Sequence, residues 1–345
     1  MSDNSGAASR DGDGAEPSAA QEGAATPGAS CEFRRARASA ENPDGSERSS
    51  SPLLAWTGRT LLRASSHVPL RFLHAVASGA ARAARRLPTR EARLTRINVA
   101  LCFPEWSPAE RERFVRASLV QTACMAVELG HLWLRPVPEV LARIVEVRGE
   151  EHLIRAMERG RGAIFAGPHL GAWELAGLWI GSRYPITTLY RAPRVREMED
   201  FYSQARRRSG AKLCPADASG VRAVFQALGR GEVAAILPDQ DPGRGAGVFV
   251  PFFGVAANTT TLLSRIASRS KASVLLMFAE RLPRGGGYRI HIHQGSDEIA
   301  GDDLERGARA LNADIETCVR MCPEQYLWSY KRFKFQPTGS PDLYR

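Results

Sequence analysis

The run Gly162-Ala-Ile-Phe-Ala-Gly-Pro-His-Leu-Gly-Ala-Trp-Glu174 constrains the fold more than any other stretch of the chain. Ala163 to Ala166 make the compact apolar run of a central parallel strand, Gly167-Pro168 end it in a tight turn, and Gly171 to Ala176 begin a helix. His169 then lies between the carboxyl end of a strand and the amino end of a helix, where open α/β sheets hold their ligands.

Glu174 is the carboxylate that follows His169 most closely in sequence. On a regular helix two residues five apart point about 140° away from each other. The pair therefore meets only if His169 sits in the turn and Glu174 in the first helical turn. One imidazole nitrogen would then donate to the carboxylate while the other faced a substrate hydroxyl, a base with its orienting acid. The N–H groups of Leu170 to Ala172, with the helix dipole behind them, would favour an oxyanion. A capping histidine and a solvated first-turn acid is the plainer account of an arbitrary His-x4-Glu. The strand–turn–helix context is what favours chemistry here.

Residues 1–51 read as a disordered tail. They are almost wholly Ser, Ala, Gly, Pro, Asp, Glu and Arg, with Phe33 the only aromatic, and bury too little apolar surface to offset the ordering of their backbone. No continuous apolar core of a secretory signal is present, so a cytoplasmic location is expected. Residues 52–97 are helical in character and broken near Pro69, with Arg59, Arg63, Arg71, Arg82, Arg85 and Arg86 among the apolar side chains. No run reaches the roughly 18 apolar residues of a spanning helix. A surface-lying amphipathic segment on anionic lipid fits, and so does a helical hairpin packed on the core.

From residue 98 to 337 strand and helix patterns alternate, with 338–345 left as a short tail. Strands are expected at Ile144 to Val147, Ala163 to Ala166, Ile186 to Tyr190, Val233 to Leu237, Ser273 to Phe278 and Tyr288 to His293. Helices are expected from Pro108, capped by Ser107, to Gly130, and over Glu150 to Arg159, Arg196 to Arg208, Ala218 to Gly229, Thr259 to Arg269 and Leu304 to Met321. The fold class is α/β, a mostly parallel central sheet with helices on both faces. Glu128 and His131 fall on the first long helix, with core or surface roles ahead of a place in the site.

The tail holds five Arg against nine acids, so with +10 overall the rest of the chain carries about +14. Such an excess suits phosphorylated substrates, an anionic membrane surface or nucleic acid. No zinc-finger spacing, RNA-binding aromatic signature or helix-turn-helix pattern supports nucleic acid. Arg191, just past a strand, and Arg206 in the Arg206-Arg-Arg208 run can clamp a phosphate bidentately. Asp239-Gln240-Asp241 closes another strand on the rim that carries His169, either as a plain turn or as part of the site. Residues 243–256 form a glycine-flexed aromatic loop, in which Phe249 and Phe252 either line an acyl channel or pack in the core. The six cysteines contain no CxxC, and no phosphate-cradling GxxxxGK[ST] or G-x-S-x-G elbow occurs. Neither metal nor cofactor is expected.

Gly167-Pro-His-Leu-Gly-Ala-Trp-Glu174, Leu237-Pro-Asp-Gln-Asp-Pro242, Val248-Phe-Val-Pro-Phe-Phe-Gly254 with Thr259-Thr-Thr261, and Gln325-Tyr-Leu-Trp-Ser-Tyr-Lys-Arg-Phe-Lys334 resemble, in order, the blocks of the bacterial lipid A late acyltransferases, a branch of the lysophospholipid acyltransferase superfamily. The resemblance covers roughly Asn98 to Pro337. One departure is Ala172, where that family often has Asn. The resemblance implies transfer of a fatty acyl group from acyl carrier protein or acyl-CoA to a hydroxyl of a lipid A precursor or similar glycolipid, at the cytoplasmic face of the inner membrane. It implies His169 and Glu174 as the catalytic pair, and Gly171, Trp173, Arg191, Arg206, Asp239 and Asp241 as substrate-binding residues. A lysophospholipid, ornithine lipid or mannosylated inositol lipid is an alternative acceptor, and a lipid-binding scaffold is the non-enzymatic alternative.

Overall fold

The computed structural model describes residues 50–84, 87–191, 193 and 195–345, so almost all of the expected tail lies outside the described residues, as do Arg85, Arg86 and Arg194. In chain order the strands are β1 (Ile144–Arg148), β2 (Ala163–Ala166), β3 (Ile186–Tyr190), β4 (Lys212–Pro215), β5 (Val233–Ile236), β6 (Gly247–Phe252), β7 (Val255–Thr260), β8 (Ser273–Arg281) and β9 (Tyr288–Gln294). The helices are α1 (Pro52–His67), α2 (Leu70–Ala83), α3 (Arg90–Cys102), α4 (Pro108–Leu134), α5 (Val137–Leu141), α6 (Glu150–Glu158), α7 (Trp173–Gly181), α8 (Glu199–Arg207), α9 (Ala218–Gly229), α10 (Leu262–Ser270) and α11 (Leu304–Met321).

Seven strands form one sheet in the order β1-β9-β8-β2-β5-β3-β4. Every neighbouring pair is parallel except β8 and β9, which a glycine-rich turn joins as an antiparallel hairpin. β2 sits in the middle and is buried on both faces. Ile164 and Ala166 point into one core, with side chains from α3, α9, α10 and α11, while Ala163 and Phe165 point into the other, with α5, α6, α7 and α8. An uninterrupted apolar tetrapeptide is what such a position requires.

Two elements differ from the sequence expectation. β4 is a fourth-strand addition at the sheet edge, where Lys212 exposes one face and hides the apolar signal. Residues 247–260 form an antiparallel hairpin instead of a flexed loop, turned at Phe253-Gly254, both with positive φ. A two-residue turn with positive φ at both positions matches the twist of the strands it joins. Gly254 supplies one position without strain, whereas Phe253 adopts the other under the packing of its ring against Phe103 and Trp328.

α4 begins with a full capping box, in which Ser107 accepts from the Glu110 N–H and the Glu110 carboxylate accepts from the Ser107 N–H. Its second half carries α1 and α2. At Gly130 a Cβ would run into Leu62 O and the Ser65 side chain, so glycine lets α1 approach closely. Glu128, fully buried, accepts hydrogen bonds from Arg281 on β8 and from Tyr288 on β9, and pairs with His74 of α2 at 3.3 Å. Burial opposes the charge on Glu128, and the Arg281 guanidinium outweighs it, holding the carboxyl below its usual range. Glu128 and His131 thus serve the core, His131 bonding to Val68 O. At the other end of the chain, Tyr344 is buried and its hydroxyl donates to Asn98 on α3.

Glu128→Ala leaves the Arg281 charge buried without its partner. The substitution is expected to lower unfolding stability by about 3–5 kcal/mol, read from denaturant unfolding of the full chain, whereas a loss under about 1 kcal/mol would mean that the network adds no net stability.

Candidate active site

β2 and β5 are paired with Ala166 opposite Ile236. Each strand runs on through one residue and a proline, so that His169 and Asp239 both stand three residues past the paired ends and emerge side by side. The imidazole Nδ1 lies 2.7 Å from Asp239 Oδ1, and the His169 backbone N–H donates to Asp239 Oδ2 at 2.8 Å. An ionised carboxylate only accepts, so Nδ1 carries the proton and Nε2 is left with its lone pair. The side-chain nitrogen of Gln240 donates to that Nε2 at 3.2 Å. Asp239 is almost wholly buried, and its carboxyl is held below the usual range: burial opposes ionisation, and the hydrogen bonds from His169, joined by its charge once the ring is protonated, outweigh it. Beside it, Tyr326 is pushed well above its ordinary value, by burial first and then by the Asp239 charge.

The expected partner of His169 was Glu174, and here the structure corrects the sequence. Glu174 occupies the first turn of α7, where Arg206 of α8 forks onto both of its oxygens, through Nη2 and through Nε at 3.1 Å, and the Trp133 indole of α4 donates at 3.2 Å. Burial works against the Glu174 charge, and the Arg206 guanidinium with its hydrogen bonds more than offsets it. Among the described residues no hydrogen bond joins His169 to Glu174. The physical reason lies between them. Leu170 bridges to Tyr326 and Gly171 to Ala279 on β8, which draws the backbone aside before the helix starts. Gly171 adopts a positive φ, and a Cβ there would strike Ala279 O. Gly171 is required for its backbone shape.

The expected oxyanion donors are also spent. Leu170 N–H donates to Pro168 O, Gly171 N–H to Gln325 O and Ala172 N–H to Ala279 O. The next two amides, of Trp173 and Glu174, stand in the first turn of α7, where a helix has no internal acceptor to offer.

A cavity of about 320 Å³ opens beside the imidazole. His169, Trp173, Glu174, Arg191, Arg206 and Gln240 form its polar part, and Phe165, Gly177, Leu178, Leu189, Leu213 and Met277 belong to its apolar part. Trp173 stands edge-on to His169 with ring centroids 5.1 Å apart. Arg191 is exposed at the rim, while Arg206 is engaged by Glu174 and lies over the Tyr190 ring. Arg208 is structural, donating to Leu132 O and Arg135 O. Asp241 does not line the cavity: its oxygens accept from Gly243 N–H and the Asn258 amide, which braces the 239–243 turn. Phe252 packs in the core and Phe249 is exposed, so neither hairpin aromatic belongs to the apolar wall of the cavity. That wall comes instead from α7, α8 and the strands.

One sequence feature accompanies the pairing of His169 with Asp239. Both residues follow an apolar strand through an x-Pro dipeptide of equal length, and adjacent parallel strands carry such equal loops to the same place.

The site is thus an imidazole held by a buried carboxylate at the mouth of an apolar cavity whose described lining residues include no serine or cysteine nucleophile. The chain belongs to the bacterial lipid A biosynthesis acyltransferase family, whose sequence model matches residues 44–335. It is similar to the lipid A biosynthesis lauroyltransferase of Escherichia coli K12, 31% identical over 84% of this chain and 94% of that one. The palmitoleoyltransferase of the same organism is 32% identical over the same shares, and its myristoyltransferase 26% identical over 84% of this chain and 90% of its own length. The chain is therefore an acyltransferase.

Gly177 lines the cavity from α7, and a Cβ built on it meets nothing within 4 Å. Gly177→Leu should fill cavity space without disturbing the core and, by removing a helical glycine, should raise stability by up to about 1 kcal/mol. A panel of fatty acids of graded length is expected to show weakened binding for the long chains and retained binding for the short ones. Equal weakening at every length would contradict the assignment of this wall.

Proposed function

We propose that the protein moves a fatty acyl group from a thioester donor, acyl carrier protein or acyl-CoA, to a hydroxyl of a lipid A precursor or similar glycolipid, with His169 as general base and Asp239 as the carboxylate that orients it. The observation that carries this reading is the Nδ1 contact with Asp239, which leaves Nε2 as a lone-pair acceptor at the cavity mouth. A substrate hydroxyl that displaced the Gln240 amide would meet that lone pair directly. His169 Nε2 takes the hydroxyl proton as the oxygen bonds to the thioester carbonyl carbon. Asp239 stabilises the imidazolium, the C–S bond breaks, and the same proton passes from Nε2 to the departing thiolate. The first-turn amides of α7 and the positive end of its dipole would support the tetrahedral oxyanion.

Glu174 enters through Arg206 and Trp133, which it holds against the cavity wall. Arg191, exposed at the rim, suits a phosphate of the acceptor or of the donor's carrier arm. The apolar wall suits the acyl chain, each buried methylene contributing about 0.8 kcal/mol. Relatives of near-equal similarity bear lauroyl, palmitoleoyl and myristoyl names, so the chain length transferred here depends on that wall and not on family membership.

The same reading places the protein on the cytoplasmic face of the inner membrane. Among the described residues no helix is long and apolar enough to cross a membrane. α1 and α2 contain no acid, and expose Leu53, Leu54, Trp56, Leu61, Phe72 and Val76 beside Arg63 and Arg71. Apolar side chains and arginines on one exposed pair of helices suit an anionic lipid surface. The start of this pair is tied to the segment that follows Arg191, because Ser50 donates to Glu197.

His169→Ala and Asp239→Asn are expected to lower kcat about 10²–10⁴-fold in transfer from acyl carrier thioester to a lipid A precursor, with melting temperature little changed for His169→Ala. Transfer at the wild-type rate by either variant rules out the base assignment. On vesicles containing phosphatidylglycerol, Trp56→Glu with Phe72→Glu should weaken sedimentation at least tenfold, and wild-type binding should fall with salt. Binding that neither the two substitutions nor salt affects would argue against attachment through this face.

A further inference from the structure

Arg332 lies behind the 239–241 turn and is 3% exposed. Its neighbours are neutral. Nη1 donates to Asn258 O at 2.7 Å, Nη2 to Thr259 Oγ1 at 2.7 Å, and the guanidinium lies over the Phe252 ring. Nε is buried without a hydrogen-bond partner, and among the described residues no carboxylate pairs with the guanidinium directly. A buried charge lacking both a partner carboxylate and its full set of hydrogen bonds is costly to keep unless it meets a need nearby.

That need is visible one layer forward. Asn258, which takes the Arg332 bond on its carbonyl, gives its amide to Asp241 at 3.0 Å, and Phe252 beneath the guanidinium touches the ring of Tyr326, which borders Asp239. Before the proton transfer His169 is neutral, and Asp239 is a buried anion with no ionised partner in contact. A positive charge that is fixed and shielded from water can keep that carboxylate ionised without competing for the hydrogen bond to Nδ1.

We propose that Arg332 is a positioning residue for acyl transfer, supplying the standing positive charge that keeps Asp239 ionised while His169 waits as a neutral base. The inference rests on the His169–Asp239 assignment. Arg332 already counts among the charges that hold Asp239 down, after burial, which opposes them, and His169. The other titratable groups around the pair are Glu174 and Arg206 across the cavity, Asp241 on the turn, Tyr330 whose hydroxyl accepts from the Asp241 N–H, Tyr326, and Cys102 of α3 beside Tyr326. Glu174 and Arg206 satisfy each other, and burial keeps the two phenols and the thiol protonated. Asp241 accepts only from neutral donors and Arg191 is exposed at the rim, so Arg332 is the buried cation near the pair that no carboxylate neutralises by direct contact.

The sign of the effect follows. Without the cation, the His169–Asp239 pair binds a proton more readily, whichever atom carries it, so the neutral base is lost at higher pH. In kcat/KM against pH for the full chain, acting on an acyl carrier thioester and a lipid A precursor, Arg332→Met should move the acid limb up by about one pH unit. Arg332→Lys should leave the limb at its wild-type position even where it lowers kcat. If Arg332→Met does not fold, Arg332→Gln, which keeps a donor for Asn258 or Thr259, carries the same expectation. A limb unmoved in the uncharged variant, with only rate or melting temperature reduced, makes Arg332 a packing residue and overturns the proposal. Asp239→Asn separates the two levels. If it transfers at the wild-type rate, the base assignment itself has failed; if it is impaired as expected while the uncharged Arg332 variant keeps its limb, only the inference about Arg332 has failed.

Discussion

The parallel pairing of β2 with β5 is the constraint on which the site depends. Ladder hydrogen bonds fix Ala166 opposite Ile236, and a slip of one residue would turn every side chain of β2 to the wrong core. Because Ile164 and Phe165 face opposite layers and both are buried, that slip is strongly disfavoured. The register therefore also fixes how far each chain travels before reaching His169 and Asp239. The contact between His169 and Asp239, residues 70 apart in sequence, is set by two apolar tetrapeptides at the centre of the molecule.

Two buried carboxylates face this cavity region and do different work. Asp239 meets an imidazole, a partner able to gain and lose charge, and a hydrogen bond to a carboxylate strengthens when an imidazole becomes an imidazolium. Glu174 meets Arg206, whose charge does not change, and the resulting fork is a rigid brace between α7 and α8 with Trp133 attached. Breaking either contact would strand a charge away from water, which is far more destabilising than the contact is stabilising.

Much of the sheet was legible because β2 and β5 are apolar throughout, β8 is apolar from Val274 to Ala279, and turn residues punctuate them. The capping box at Ser107 and the break at Pro69 were equally plain, since each depends only on neighbours in sequence. β4 was hidden by the exposed Lys212 at a sheet edge, and the β6–β7 hairpin by the absence of an Asn-Gly type turn, Phe253 standing where such a turn takes Asn or Gly. At the site, His169 and the acidic turn at Asp239 were identifiable, but their pairing was not, because proximity along the chain favoured Glu174. A five-residue gap is easier to notice than strand adjacency, yet the bridges at Leu170 and Gly171 spend that gap on crossing to Tyr326 and β8. The aromatic block ending at Lys334 shows the same limit. Its interleaved aromatics and cations suit a membrane-facing edge and a seal on the sheet equally, and Tyr326, Trp328 and Phe333 are buried.

The most direct test of the account is the Nδ1–H proton of His169, observed by NMR in the full chain carrying ¹⁵N-labelled histidine. A proton held between Nδ1 and a buried carboxylate should give a low-field resonance coupled to that nitrogen. The account predicts that Asp239→Asn abolishes or strongly shifts this resonance and that Glu174→Gln leaves it in place. Loss of the signal in Glu174→Gln, with its survival in Asp239→Asn, would contradict the account and return the imidazole to Glu174.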